Sequence, residues 1–223
     1  MKITDIKKSF DRFSLHIENL ETTTGKIHGI IGPNGCGKTT IMKIMAGLIK
    51  PDSGDVDYEN LSSREFTMVF RKPYLLHDTV IHNLIYPLKI RRINPDNELV
   101  EHYLEIAGLQ DYRNQYALGL SGGEQQKLSL IRALIFLPKL IFMDEGFSNM
   151  DIEGVAFFED YILNMQKTKP MTWVIISHQL SNIKRLCDYV YFMHDGKIEA
   201  HGEPAEILQD PENVNLKRYL HYM

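Results

Sequence analysis

The residues best suited to chemistry lie in one glycine-rich segment near the N-terminus. It reads Gly32-Pro33-Asn34-Gly35-Cys36-Gly37-Lys38-Thr39 and matches the pattern G-x-x-x-x-G-K-[ST], which encloses phosphate groups. Its glycines let backbone N–H groups turn toward phosphate oxygens, and the helix start that follows adds a partial positive charge. Lys38 is then placed to bind the β- and γ-phosphates, and the Thr39 hydroxyl to coordinate Mg²⁺. The segment predicts binding of ATP with Mg²⁺, with Thr40 supporting the helix start.

A second group of polar residues follows two apolar runs further along the chain. Asp144 and Glu145 come directly after the run 140–143, and His178 follows the β-branched run 171–176. Ligands bind at the carboxyl ends of parallel strands, so Asp144 is expected to hold Mg²⁺ through water and Glu145 to orient or deprotonate the attacking water. His178 could then bind the γ-phosphate. Such acids also often cap a following helix, and such a histidine is often structural.

Other elements must hold these residues in place. The run 27–31 predicts a buried strand before the loop, 40–46 a helix after it, 66–70 another strand, and 188–200 a hairpin turning at 194–196. Cys36 is interpreted either as filler in the loop or as a thiol with a pKa lowered by the helix start, and filler is favoured. Cys36 and Cys187 are expected to be free thiols in a reducing compartment.

Composition narrows the class of protein. Apolar residues make up 43% and charged residues 24% of 223 residues, which is typical of one globular domain. The net charge of −4 argues against nucleic acid as a partner. The longest apolar stretch, 128–143, is interrupted by charges and a proline, so no membrane-spanning helix is expected. The N-terminus lacks the apolar region of a secretory signal, which favours the cytosol.

One further segment is the most informative about the class of protein. It reads Leu120-Ser121-Gly122-Gly123-Glu124-Gln125-Gln126-Lys127. Ser121 and Glu124 form a capping-box pattern for a predicted helix at 125–137. Capping alone would explain the pattern, yet two glycines at a helix start are costly unless their N–H groups bind an anion.

This segment resembles the signature of ABC ATPases, and the order of phosphate loop, signature and Asp-Glu strand is similar to that family over nearly the whole chain. The resemblance implies an α/β fold: a P-loop NTPase (ABC ATPase) with a RecA-like core, an N-terminal antiparallel β portion and an inserted α-helical subdomain. The single domain 1–223 would have its core at 1–71 and 138–223, and the helical subdomain at 72–137.

The resemblance also implies how two chains work together. Ser121, Gly122 and Gly123 would meet the ATP held by a second ATP-binding subunit, identical or different, in a head-to-tail dimer. Phe10 would stack on the adenine, with a core aromatic as the alternative, Asp151 would touch the opposite subunit, and His178 would be the switch histidine. Residues 74–76 and Val80 would line a groove for a membrane subunit, or belong to the subdomain core.

At one position the chain departs from the family pattern. Arg71 follows the strand 66–70, where the resemblance places a glutamine that contacts Mg²⁺ and the attacking water. A guanidinium only donates hydrogen bonds, so it cannot ligate a metal ion. Arg71 therefore either slows turnover or contacts the γ-phosphate directly.

The predicted function is that of an ATP-hydrolysing subunit that powers a transporter, peripheral to the cytoplasmic face of the membrane. Its partners would be transmembrane permease subunits and, indirectly, a solute-binding protein. The segment 68–76 resembles importers of small oxyanions such as tungstate or molybdate. The alternatives are a regulatory ABC protein with weak ATPase activity caused by Arg71, and an ABC ATPase of DNA repair or translation, for which 223 residues are too few.

Overall fold

A computed structural model describes residues 1–222, and these form two β-sheets with helices around them. The strands are β1 (Lys2–Phe10), β2 (Phe13–Glu21), β3 (Ile27–Ile31), β4 (Ser53–Asp57), β5 (Phe66–Val69), β6 (Leu140–Asp144), β7 (Thr172–Ile176), β8 (Tyr189–His194) and β9 (Lys197–Gly202). The helices are α1 (Lys38–Met45), α2 (Val80–Arg91), α3 (Asn97–Ala107), α4 (Gly122–Leu134), α5 (Ile152–Thr168), α6 (Leu180–Leu186), α7 (Pro204–Ile207) and α8 (Val214–His221), with 3-10 turns at Gln110–Tyr112 and Ala117–Gly119.

The two sheets differ in direction and burial. The smaller sheet has the order β2-β1-β4 and is antiparallel, whereas the larger sheet has the order β5-β6-β7-β3-β8-β9. Its first five strands are parallel, and only β9 runs antiparallel to β8. Every residue of β3, β6 and β7 is buried, as expected for parallel strands covered on both faces. The predicted α/β architecture with an N-terminal antiparallel portion is confirmed.

Strand order brings the candidate site residues to one edge of the larger sheet. Strands β5, β6, β7 and β3 are parallel neighbours, and their registers pair Val69 with Met143, Asp144 with Ile176, and Ile176 with Ile30. The carboxyl ends of these strands therefore lie side by side. The residues that follow them, including Arg71, Glu145 and the glycine-rich loop, share this edge.

Side chains of the larger sheet fill a separate core on each face. Along β6, Leu140 and Phe142 pack with α1 and the antiparallel sheet, while Ile141 and Met143 pack with α2 to α4 and the C-terminal helices. This alternation follows from the pleat of a strand, in which successive side chains point to opposite faces. The phosphate-loop helix α1 and the signature helix α4 consequently lie on opposite sides of one sheet.

Helices α2, α3 and α4 all lie between β5 and β6, which confirms the predicted helical insertion, although its limits at 72 and 137 stay a prediction. The predicted range 125–137 for α4 was wrong: the helix begins at Gly122, directly after the Ser121 cap, and ends at Leu134. Leu137 has a φ of +50°, which is not a helical value. The next residue is Pro138, which lacks the N–H group that a continuing helix needs. Val80 is fully buried, so it belongs to the core and lines no groove, whereas Tyr74 is exposed.

The C-terminal part of the chain forms the predicted hairpin. Strands β8 and β9 pair antiparallel, and Asp195 and Gly196 connect them with φ values of +44° and +76°. Positive φ at both turn residues matches the twist of the flanking strands. His194, expected in the turn, is instead the last residue of β8.

Candidate functional site

The glycine-rich loop joins β3 to α1 with three backbone positions in the left-handed region. Gly32, Gly35 and Gly37 have φ values of +148°, +80° and +106°. A Cβ at Gly32 would lie 2.0 Å from the Met193 carbonyl oxygen, and one at Gly37 would lie 2.7 Å from the Phe13 ring. Helix α1 begins without any side-chain cap, so its first N–H groups stay available. The loop has the geometry of an anion site.

Lys38 folds back across this loop. Its Nζ donates hydrogen bonds to the carbonyl oxygens of Gly32 at 2.7 Å and Pro33 at 2.9 Å. The side chain is buried, and burial lowers the pKa of its ammonium group, opposed by the nearby charges of Glu145 and Asp144. The ammonium group is therefore held at the loop, and no carboxylate of residues 1–222 forms an ion pair with it. Phosphate oxygens entering the loop would supply the missing negative charge.

Thr39 and Asp144 meet although they are far apart in the chain. The Thr39 hydroxyl donates to Asp144 Oδ2 at 2.9 Å. Burial raises the pKa of the Asp144 carboxyl, partly offset by this hydrogen bond. A hydroxyl and a carboxylate are the hard oxygen donors that Mg²⁺ prefers, and Mg²⁺ otherwise keeps water and phosphate ligands. Within residues 1–222 no group of three His, Cys, Asp or Glu side chains is placed to hold a metal ion.

Glu145 is held at the sheet edge by its backbone and by both carboxylate oxygens. Its N–H donates to the Ile176 carbonyl at 2.9 Å, and its φ is +49°. His178 Nε2 lies 2.8 Å from Glu145 Oε1, and Arg71 Nε lies 3.0 Å from Oε2. The carboxylate, only 15% exposed, is thus bound on two sides. The structure brings together three residues that the sequence had placed on three separate strands.

A polar residue that the sequence analysis did not single out connects the loops around Glu145. Gln126 is fully buried on α4, and its Nε2 donates to the Phe70 carbonyl at 3.2 Å and the Gly146 carbonyl at 2.9 Å. Ser148 Oγ donates to the Arg71 carbonyl at 3.0 Å. The backbone beside Arg71 is therefore fixed from two directions. Gln126 shares a buried face of α4 with Leu130 and Ala133, a spacing that could have marked it.

The signature segment forms the predicted capping box. Ser121 caps α4, its N–H and hydroxyl donating to Glu124 Oε2, while its oxygen accepts from the Glu124 N–H. A Cβ at Gly123 would lie 2.8 Å from the Asn149 carbonyl, so close packing explains this glycine. A Cβ at Gly122 would meet only ordinary contact distances, and both Ser121 and Gly122 are exposed. Packing within one chain leaves Gly122 unexplained.

Three further candidate residues are clarified by their surroundings. Phe10 is 47% exposed and stacks on Phe13 at a centroid distance of 6.3 Å, so it is not a core aromatic. Asp151 caps α5 by accepting a hydrogen bond from the Gly154 N–H at 2.9 Å. Burial raises the pKa of the Cys36 thiol, which agrees with its interpretation as filler and not with an activated thiol. Both cysteines are free.

A cavity of about 410 Å³ lies beside the phosphate loop, between the loop and α8. It is lined by Pro33 and Asn34 of the loop, by His178, and by Arg218 and Tyr219 of the C-terminal helix. This volume is within the range of small-molecule sites. The contribution of α8 had no signal in the sequence motifs.

The loop, the acid-bearing strand and the parallel sheet together define a P-loop nucleotide-binding protein. The family model described as "ABC transporter" matches residues 15–148, more than half of the chain, and the chain belongs to this family. Within residues 1–222, no helix has both the length and the apolar character needed to cross a bilayer.

Two curated relatives and one solved structure illustrate the similarity. The tungstate uptake system ATP-binding protein TupC of Peptoclostridium acidaminophilum is 36% identical over 209 residues, covering 90% of this chain and 97% of the relative. The spermidine/putrescine import ATP-binding protein PotA of Spiroplasma citri is 32% identical over 225 residues, and the match spans 96% of this chain but only 64% of that protein. A nucleotide-free ATP-binding cassette from an ABC transporter is 28% identical with a TM-score of 0.78, covering 97% of each chain.

Proposed function

We propose that this chain binds MgATP and hydrolyses it at the interface of a head-to-tail dimer. The observation that carries the proposal is the hydrogen bond from Thr39 to Asp144, which joins the phosphate loop to the acidic end of β6 with Glu145 next in the chain. A bound Mg²⁺ would supply positive charge to neutralise the negative charge that develops during hydrolysis. Thr39 and Asp144 would hold it. Lys38 would bind the β- and γ-phosphates.

In this proposal Glu145 accepts a proton from the attacking water. Its strained backbone and its contact with His178 fix the direction of the carboxylate, and a general base must lie within a hydrogen bond of the proton it takes. His178 would contact the γ-phosphate on the same side. Phe10, exposed beside Phe13, would supply an aromatic surface for the adenine.

The signature residues of one copy would complete the site of another. All hydrogen bonds of Ser121 stay within the start of its own helix, and the exposed tip of α4 offers free N–H groups. An exposed glycine without a packing role at Gly122 supports close approach of an anion there. The second copy could be identical or a different ATP-binding subunit, and Asp151 lies in the segment expected to face it.

A Ser121→Arg substitution tests this arrangement. It is introduced into the Glu145→Gln protein, so that ATP is bound but not consumed, and dimerisation with MgATP is followed by analytical ultracentrifugation. The arginine would fill the space of the phosphate at the tip of α4, and we expect dimer affinity to fall about 30-fold, corresponding to a loss of ~2 kcal/mol at an interface hot spot. ATP binding to the monomer should persist.

Ser63→Arg serves as the matched control. Ser63 is exposed in the turn before β5, at the opposite edge of the sheet from the phosphate loop. The same change of size and charge there should leave ATP-dependent dimerisation intact. Equal dimerisation of the Ser121→Arg and Ser63→Arg proteins would rule out the head-to-tail site.

We further propose that the dimer powers import of a small oxyanion. Support comes from the similarity to the tungstate uptake subunit over nearly the full length of both chains. The chain would bind transmembrane permease subunits at the cytoplasmic face of the cell membrane, and a solute-binding protein would act upstream of them.

Uptake measurements test the transported solute. In cells that lack this gene we expect tungstate or molybdate uptake to fall several-fold, with restoration by the native chain and not by the Lys38→Ala chain. Loss of spermidine uptake with normal oxyanion uptake would instead assign the solute class of the second relative.

A second candidate function is a nucleotide-gated regulatory protein with weak hydrolysis. The ion pair between Arg71 and Glu145 favours it, because the pair occupies an oxygen of the proposed base. The rate of phosphate release separates the two functions. A native rate close to that of the Glu145→Gln protein would indicate the regulatory function.

A further inference from the structure

Each oxygen of the Glu145 carboxylate contacts a different side chain, one the imidazole of His178 and the other the guanidinium of Arg71. His178 Nε2 is 2.8 Å from Oε1, and Arg71 Nε is 3.0 Å from Oε2. A water molecule that donates to Glu145 must share the carboxylate with these two nitrogen atoms, because each oxygen already has one of them close by. The Arg71 guanidinium therefore lies against the Oε2 atom of the proposed base.

The backbone at Arg71 is held by hydrogen bonds, whereas most of its side chain is exposed to solvent. Ser148 binds the Arg71 carbonyl, and Gln126 binds the carbonyls of Phe70 and Gly146, which keeps the loops after β5 and β6 together. The Arg71 side chain itself is 67% exposed. Rotation of this side chain alone could take the guanidinium off Glu145 without any change in the fold.

A γ-phosphate would compete with Glu145 for this guanidinium. A triphosphate in the glycine-rich loop places its terminal phosphate near Lys38 and the carboxyl ends of β6 and β7, where Glu145 and His178 also lie. Guanidinium groups match phosphate oxygens in shape and are weakly hydrated, so they exchange a carboxylate for a phosphate at low cost. ADP lacks the competing group.

We propose that Arg71 exchanges partners when ATP binds, leaving Glu145 for the γ-phosphate. This step rests on the proposed ATP hydrolysis. Once released, Glu145 Oε2 accepts a proton from water as the water oxygen bonds to the γ-phosphorus. The bond to the bridging oxygen breaks, and its electron pair stays on the β-phosphate of ADP. Arg71 is thus a γ-phosphate-contacting residue that also keeps the base occupied in the absence of ATP.

A double-mutant cycle with two nucleotides tests the exchange. Affinities for the Mg²⁺ complexes of ADP and of the non-hydrolysed β,γ-imido analogue of ATP are measured for the native, Arg71→Gln, Glu145→Gln and doubly substituted proteins. We expect Arg71→Gln to weaken analogue binding about tenfold, as expected for a lost charge-assisted hydrogen bond, and to change ADP binding less than about twofold.

Competition between Glu145 and the γ-phosphate for Arg71 predicts that the two substitutions are coupled in their effects on analogue binding. With Arg71 present, Glu145→Gln removes the negative charge that attracts the guanidinium, so it should strengthen analogue binding about fivefold more than it does in the Arg71→Gln background, equivalent to ~1 kcal/mol for a partly exposed ion pair. No such coupling is expected with ADP. A purely structural pair would affect both nucleotides alike.

Lys72→Gln is the control for charge. Lys72 is the next residue, is exposed, and takes part in none of the ion pairs formed within residues 1–222. It should leave both affinities unchanged. Equal losses for ADP and the analogue in Arg71→Gln, or zero coupling, would overturn the exchange. If the native and Lys38→Ala proteins bind the analogue equally, the proposed function itself fails, which is a different result.

Discussion

Replacement of Glu145 by glutamine is expected to lower the rate of ATP hydrolysis at least ~100-fold, since general-base catalysis contributes a factor of about 10² to 10⁴. Glutamine keeps the size of the side chain and its place beside His178, so the fold and the phosphate loop should be unaffected. An amide cannot take a proton from water. Phosphate release at saturating MgATP measures the rate, and the affinity for MgATP should not fall.

Glu105→Gln provides the control for loss of one acid. Glu105 is exposed on α3, within the helical insertion and away from the sheet edge that carries Glu145. Its replacement should leave hydrolysis at the native rate. If the Glu145→Gln protein hydrolyses ATP within a few-fold of the native rate, Glu145 is not the base, and positioning and electrostatics alone must account for turnover.

Replacement of Lys38 by alanine is expected to weaken MgATP binding about 100-fold, equivalent to about 3 kcal/mol for a hydrogen-bonded charge. The ammonium group lies at the loop, where it donates to the Gly32 and Pro33 carbonyl oxygens. Phosphate oxygens would replace these neutral partners with charged ones. Calorimetric titration measures the affinity, and the stabilisation of the fold by MgATP in thermal unfolding should vanish with it.

Lys50→Ala removes an equal charge shortly after α1 at an exposed position, and it should leave MgATP affinity unchanged. Thermal unfolding without nucleotide shows whether the Lys38→Ala protein is folded. A folded Lys38→Ala protein that binds MgATP as tightly as the native chain would contradict the assignment of the glycine-rich loop to phosphate.

The sequence predicted the placement of the candidate residues best where strands position them. Asp144, Glu145 and His178 each follow a buried apolar run, and parallel strands place their carboxyl ends together whatever the lengths of the connections. The glycine-rich loop carries its own geometry, since Gly32 and Gly37 occupy positions where a side chain would clash. These features are local or follow from one general rule of sheet topology.

Contacts between side chains from different helices, strands and loops could not be predicted from the sequence by such rules. The Arg71–Glu145 pair depends on the path of two loops and the direction of one flexible side chain. The role of Gln126 depends on which face of α4 is buried, and the placement of α8 beside the loop depends on packing over the whole sheet. The start of α4 was missed by three residues because glycine disfavours helices, whereas the Ser121 cap and packing against Asn149 favour a helix start here.

The backbone conformation of Glu145 also affects how the protein can evolve or be engineered. A side chain at a φ of +49° costs about 1 kcal/mol or more that glycine would not. Selection for folding alone would therefore tend to replace this residue, and so would stability screens that ignore turnover. In the proposed mechanism, thermal stability gained by replacing Glu145 would be accompanied by loss of ATP hydrolysis, so variant libraries that are selected for higher stability should keep this residue.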